Sequence, residues 1–202
     1  KSDENNSSIF RINTPDSDQY FLLENRQFSG YDVGFQNATG PSGHGGLVIY
    51  HIDKLKTDLW PSSNSVNADE TDKGVDVEEA NEGSFGKSML DNNDYRAHTN
   101  MFFFAGNSTN FTSTTTPDSG LKSVCPTGIS LTDISNYFAT MTAKISFVVD
   151  TTLPSVVSTS PVINETDVSI DKTVTAITAT FSECMDATTI NSSTFTLSGA
   201  TG

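Results

Sequence analysis

The sequence predicts a mainly β protein: an antiparallel sheet or sandwich region, followed by part of a second β-sandwich. Three observations carry this. Apolar residues gather in short runs or alternate with polar ones, the period of strands. Clusters of Gly, Pro, Asn, Asp, Ser and Thr separate these runs. No segment carries a long helical period; Thr71–Ala80 comes nearest and is too short to make one.

Residues 1–8 are polar and read as a frayed end. Ile9-Phe10-Arg11-Ile12 reads as a short strand closed by the turn cluster Asn13-Thr14-Pro15-Asp16. Residues 19–27 and 47–53 are the two strong strands, and they are expected to pair across a long connection. Ser29-Gly30-Tyr31-Asp32 is a turn, residues 36–46 a glycine-rich loop, and residues 54–74 a loop holding the only tryptophan, Trp60. Val75-Asp76-Val77-Glu78-Glu79-Ala80 alternates, so Val75 and Val77 are expected to face a core as a third strand. Residues 81–100 have no clear period, Met101–Phe104 is apolar but short, and residues 106–120 read as a surface loop. Residues 128–134 and 141–149 alternate and read as the last two strands of a first unit covering residues 1–150. Past the linker Asp150–Pro154, the stretch Pro154–Pro161 leads into Val168–Ile170, Val174–Phe181 and Thr194–Leu197, short alternating strands at regular spacing. A sandwich of the immunoglobulin type takes about 100 residues. Residues 151–202 therefore read as its first half.

Charge narrows the function classes. There are 11 Lys and Arg against 25 Asp and Glu, giving a formal charge of −14, with a sequence pI near 4.3. That balance opposes nucleic acid and anionic membrane surfaces, which need clustered cations. It favours divalent cations held by carboxylate and carbonyl oxygens. No run approaches the ~20 apolar residues of a membrane span. The chain starts without Met or a signal peptide, as a mature, cleaved or excerpted chain does. Cys125 and Cys184 lie too far apart for a metal framework; a disulfide and two free thiols are both open. The Asn, Ser and Thr content and the low lysine count suit an extracellular or cell-surface location. There Asn37, Asn107, Asn110, Asn164 and Asn191 would be candidate glycosylation acceptors, along with Asn5 and Asn6 in the polar end.

Ionisable groups inside the two apolar strands require partners, because an unpaired buried charge costs several kcal/mol, roughly. Alternation sets Tyr20, Leu22, Glu24 and Arg26 on one face of the first strand. On the second strand Ile49, His51 and Asp53 share a face, and Val48, Tyr50 and Ile52 share the other. Glu24 and Arg26 read as a same-face ion pair, His51 as a hydrogen-bonded core residue, Asp53 as a strand-end turn former and Tyr50 as a core tyrosine. Together Glu24, Arg26, His51 and Asp53 are expected to form one wall of a site or a network that locks the sheet. Asn67, Asp69 and Asp72, and separately Asp91 and Asp94, are candidate calcium ligands, although neither stretch has the spacing of an EF-hand loop. No Gly-x-Ser-x-Gly elbow is present, and Gly43-His44-Gly45-Gly46 is too short for a phosphate loop.

Two resemblances rest on particular residues. Tyr20-Phe21-Leu22-Leu23-Glu24-Asn25-Arg26-Gln27, then Gly30-Tyr31-Asp32, then Gly43 through Asp53 resembles the region downstream of the zinc helix in M6 (immune inhibitor A-like) secreted metallopeptidases. Val66-Asn67, Gly74–Ala80, Thr115-Thr116-Pro117 and Thr127–Ser135 follow in that family's order, so the resemblance spans roughly residues 9–149. It implies a noncatalytic C-terminal section. The family's zinc centre rests on a His-Glu-x-x-His helix, and the three histidines here, His44, His51 and His98, do not form one. The chain alone is then inactive, zinc enters only with an upstream catalytic segment, and Glu24 is a candidate third zinc ligand. Val157–Pro161, Ala179–Glu183, Met185-Asp186 and Thr194–Leu197 resemble the first half of a bacterial Ig-like module. That second resemblance supports an alternative: an extracellular structural or adhesive subunit whose partners are neighbouring copies completing its strands.

Overall fold

The computed structural model describes residues 9–34, 44–82, 90, 101–122, 125–162, 177–185 and 189–196. They fall into two compact units, Lys1–Val149 and Asp150–Gly202. Antiparallel sheets make up nearly all the regular structure. Of the predicted segments, residues 36–43 of the loop 36–46, much of 81–100, Val168–Ile170, residues 174–176 of the strand Val174–Phe181, Asp186 and Leu197 lie outside the described residues.

The first unit is organised on a four-stranded sheet in the order β1 (Ile9–Asn13), β2 (Gln19–Arg26), β3 (Gly46–Asp53), β4 (Val75–Glu78), every pair antiparallel. The two strong strands pair along their whole length, from Gln19 opposite Asp53 to Arg26 opposite Gly46. Phe21 stands opposite His51 and Leu23 opposite Ile49, so odd-numbered residues of both strands share one face. On that face Ile12, Phe21, Leu23, Leu47 and Ile49 pack with Phe103, Phe111, Ile129, Leu131 and Ile134 in the larger core. On the even face Val48 packs with Met101, Phe102 and Phe104, with Tyr50, Val77 and Tyr137 against them. β3 is thus covered on both sides, which accounts for its near-continuous apolar run.

A short helix, α1 (Lys54–Thr57), follows β3 where the sequence suggests loop; Asp53 Oδ1 accepts the Leu55 and Lys56 amides and starts it. Two segments that the sequence does not assign to a strand contribute to the interior. Met101–Phe104 is buried throughout, and Phe103 exchanges backbone bonds with Leu47. Phe111 and Ser119, inside the expected surface loop, are also buried; Phe111 bridges to Leu131, and Ser119 Oγ donates to the Ile129 carbonyl. Thr, Ser and Asn residues around them hide the signal, because their hydroxyls and amides satisfy the buried backbone locally. β5 (Ile129–Thr132) and β6 (Lys144–Phe147) form a two-stranded sheet. Gly128 leads into β5 with φ +71° and the Val148 carbonyl against its Cα, a position no side chain can share.

The second unit holds β7 (Val156–Ser160) paired with β8 (Thr178–Phe181), with an irregularity between Val156 and Ser158. No described residue of this unit is buried. Neither Cys125 nor Cys184 is a free thiol.

Candidate functional site

The register decides which polar groups meet. Glu24 and Arg26 lie on the even face of β2, and Tyr50 lies on the same face of β3. Gly30, at φ +58°, turns the chain after β2 so that Asp32 comes back beside Arg26. The guanidinium donates twice to that carboxylate, Nε to Oδ2 at 3.0 Å and Nη2 to Oδ1 at 2.6 Å. Its Nη1 donates to the Tyr50 hydroxyl at 3.2 Å, and Tyr50 donates to Glu24 Oε2 at 3.1 Å. Arg26 Nη1 and Glu24 Oε2 are 3.9 Å apart. Asp32 chiefly raises the Arg26 pKa, and burial raises that of Tyr50 against the opposing pull of Arg26. This chain of donors and acceptors closes on itself.

His51 and Asp53 stand on the opposite face, so the expected single wall is two separate groups. The physical reason is the in-phase pairing of β2 and β3, which sends odd and even residues to opposite sides. His51 is buried against the Phe21 ring, with centroids 4.6 Å apart. Its Nδ1 is 3.3 Å from Glu78 Oε1, and its Nε2 is 3.0 Å from Gln19 Oε1. Gln19 also accepts the Lys122 amide at 3.1 Å and donates through Nε2 to Asp16. Asp53 caps α1 and accepts Lys122 Nζ through Oδ2 at 3.1 Å. Burial raises the Glu78 pKa, and His51 opposes that shift.

A cavity of about 270 Å³ opens here between the β3–β4 edge and residues 116–122; His51, Asp76, Glu78, Glu82, Asp118 and Lys122 line it. Lys73 pairs with Asp76 at 2.8 Å. The Glu82 carboxyl is pushed up to about 7, first by burial and then by Glu78, Glu79 and Asp76. Sequence reasoning singled out neither Gln19, Glu78, Glu82 nor Lys122. Alternation in 75–80 marked a strand, but only the pairing of β4 with β3 sets Glu78 next to His51.

The candidate calcium ligands have other partners. Asn67 Oδ1 accepts the Gly74 and Val75 amides while its Nδ2 donates to Val75, closing the 67–75 loop. Asp69 accepts the Thr71 hydroxyl and amide, which holds its carboxyl below the usual range. Asp72 is held low by Lys56 and then Lys122. Asp91, Asp94, Asn37, Asn164, Asn5 and Asn6 lie outside the described residues. Asn110 and Asn191 are exposed, whereas Asn107 donates its amide nitrogen to the Phe102 carbonyl at 2.7 Å. Among the described residues no group of three or more His, Cys, Asp or Glu side chains is placed to hold a metal ion. Glu24 has Tyr50 on one oxygen and a guanidinium nearby, and among the described residues it belongs to no group placed to hold a metal ion. No described helix is long and apolar enough to cross a membrane.

Residues 150–202 match the model of the bacterial Ig-like domain family. No curated protein and no solved structure matches the chain.

Proposed function

We propose that residues 9–149 are a noncatalytic section of a secreted zinc metallopeptidase of the M6 type, packing against a catalytic segment supplied from upstream. The Ig-like module spaces or presents this section. One observation carries the reading: Tyr20–Gln27 and Gly46–Asp53, which hold the resemblance, are adjacent central strands in full register. Motifs distant in sequence thus act as one structural unit. The Arg26–Asp32–Tyr50–Glu24 network braces the Arg26 end of that pair for such packing. Oxidised cysteines suit an extracellular or surface location.

The test is the coding sequence immediately before Lys1. A His-Glu-x-x-His helix there supports the reading; another β-module or a signal peptide directly before Lys1 sinks it. Zinc content of that longer protein then assigns Glu24. With Glu24 locking the sheet, Glu24→Gln leaves bound zinc unchanged; loss of zinc would make Glu24 a ligand.

A second reading has its own observation. Val156 and Val157 of β7 are exposed, and no described residue of the Ig-like unit is buried. An extracellular structural or adhesive subunit would complete those strands with neighbouring copies. Concentration-dependent assembly by light scattering, abolished by Val157→Lys, would favour it; a monomer at every concentration would remove it.

A further inference from the structure

The cleft beside β4 carries an excess of negative charge. From β3 it receives His51, from β4 Asp76 and Glu78, from the turn after β4 Glu82, and from the 116–122 segment Asp118 and Lys122, with the buried Glu79 carboxylate acting on Glu82 from behind the wall. Its cations are already engaged. Lys73 binds Asp76, and Lys122 Nζ is drawn to Asp53, Asp72 and the Lys73 carbonyl. Asp118 accepts the Gly120 amide, and Glu79 accepts the Leu90 amide. The Glu82 carboxylate makes no hydrogen bond or ion pair among the described residues.

Hydrogen-bond logic places a proton at the floor of the cleft. The Lys122 backbone N–H can only donate, so Gln19 presents Oε1 to it, and the Gln19 donation to Asp16 fixes the same amide orientation. Oε1 therefore also faces His51 Nε2, which must carry a hydrogen. The contact between His51 Nδ1 and Glu78 Oε1 needs a second one, whichever partner holds it. The pair thus retains one proton more than a neutral imidazole with a free carboxylate.

We propose that the cleft is a proton-controlled latch: protons on the His51–Glu78 pair and on Glu82 seat the 116–122 segment against β3 and β4, and their loss unseats it. Losing the shared proton sets the bare Nδ1 lone pair against the Glu78 carboxylate. Ionising Glu82 adds another negative charge beside Glu78, Glu79 and Asp76. Loss of the shared proton disturbs the His51–Gln19 contact, and with it the Gln19 link that ties Lys122 to β2. The linkage sign is definite. The Glu82 carboxyl is raised from 4.5 to about 7, so its stabilising effect is complete below its ordinary value and fades as pH rises to about 7. The latch holds in mild acid and weakens toward alkaline pH.

Thermal unfolding of the whole chain tests this at constant ionic strength. The melting temperature should fall by about 5 °C between about pH 5 and about pH 8. Glu82→Gln should match wild type at the acid end and melt higher at the alkaline end, with at least half the slope removed. Parallel profiles for variant and wild type would overturn the proposal. Carboxyl NMR of the wild-type chain decides it independently of the variant's folding: a Glu82 midpoint near neutrality supports the latch, and one in the ordinary carboxylate range refutes it. Amide exchange at Lys122, corrected for intrinsic rate, should quicken about tenfold over the same interval; unchanged protection would refute the unseating.

Discussion

The two faces of the β2–β3 pair solve one problem in different ways. On the even face, Arg26 makes two hydrogen bonds to Asp32 as one bidentate pair and a third to Tyr50, and Tyr50 in turn serves Glu24. The Arg26 side chain is 32 % exposed and Glu24 24 %, so water shares the cost of the charges. On the odd face, His51 and Glu78 are 6 % and 12 % exposed, and the carboxylates around them outnumber the available cations. Burial makes the second group costly to break and responsive to protons. Partial exposure makes the first tolerant of both.

That contrast can be broken by substitution. The largest effect is expected for Glu78→Ala, which strands His51 in the interior and should cost about 3 kcal/mol in denaturant unfolding. A loss below about 1 kcal/mol would mean that His51 is neutral and satisfied by Gln19 alone. Arg26→Ala removes the centre of the exposed network and should cost about 2 kcal/mol, less than Glu78→Ala because Asp32, Tyr50 and Glu24 can turn to water. If Arg26→Ala proved the more damaging, the exposed network would be the true lock of the sheet. Tyr50→Phe keeps the packed ring and deletes only the hydroxyl bridge, for about 1 kcal/mol by the same measurement. The smallest effect is expected from chelator: because Asp72 already has Lys56 and Lys122 as its cations, removing calcium should shift the melting temperature by less than about 1 °C. A shift several times larger would return Asp69 and Asp72 to the role of metal ligands.

The two units differ in a way that also bears on legibility. In the first, interior aromatics such as Phe103 on one side and Phe102 on the other hold both faces of β3. In the second, Val156, Val157 and Phe195 remain exposed on short strands. The alternation that predicts strands is equally plain in both, so period alone does not reveal which strands are covered.

Local pattern by itself determined that this is a β protein, where its main strands run, and that Glu24 shares a face with Arg26 and His51 with Asp53. Those follow from the two-residue period, which is a property of neighbouring residues. Tertiary structure decided which faces meet. Pairing Phe21 with His51 put the two polar pairs on opposite sides; pairing β3 with β4 brought Glu78 to His51. Folding the 101–122 segment inward buried Phe111 and carried Lys122 to Asp53 across 69 positions. Register and long-range closure depend on which surfaces exclude water together, and no local period encodes that.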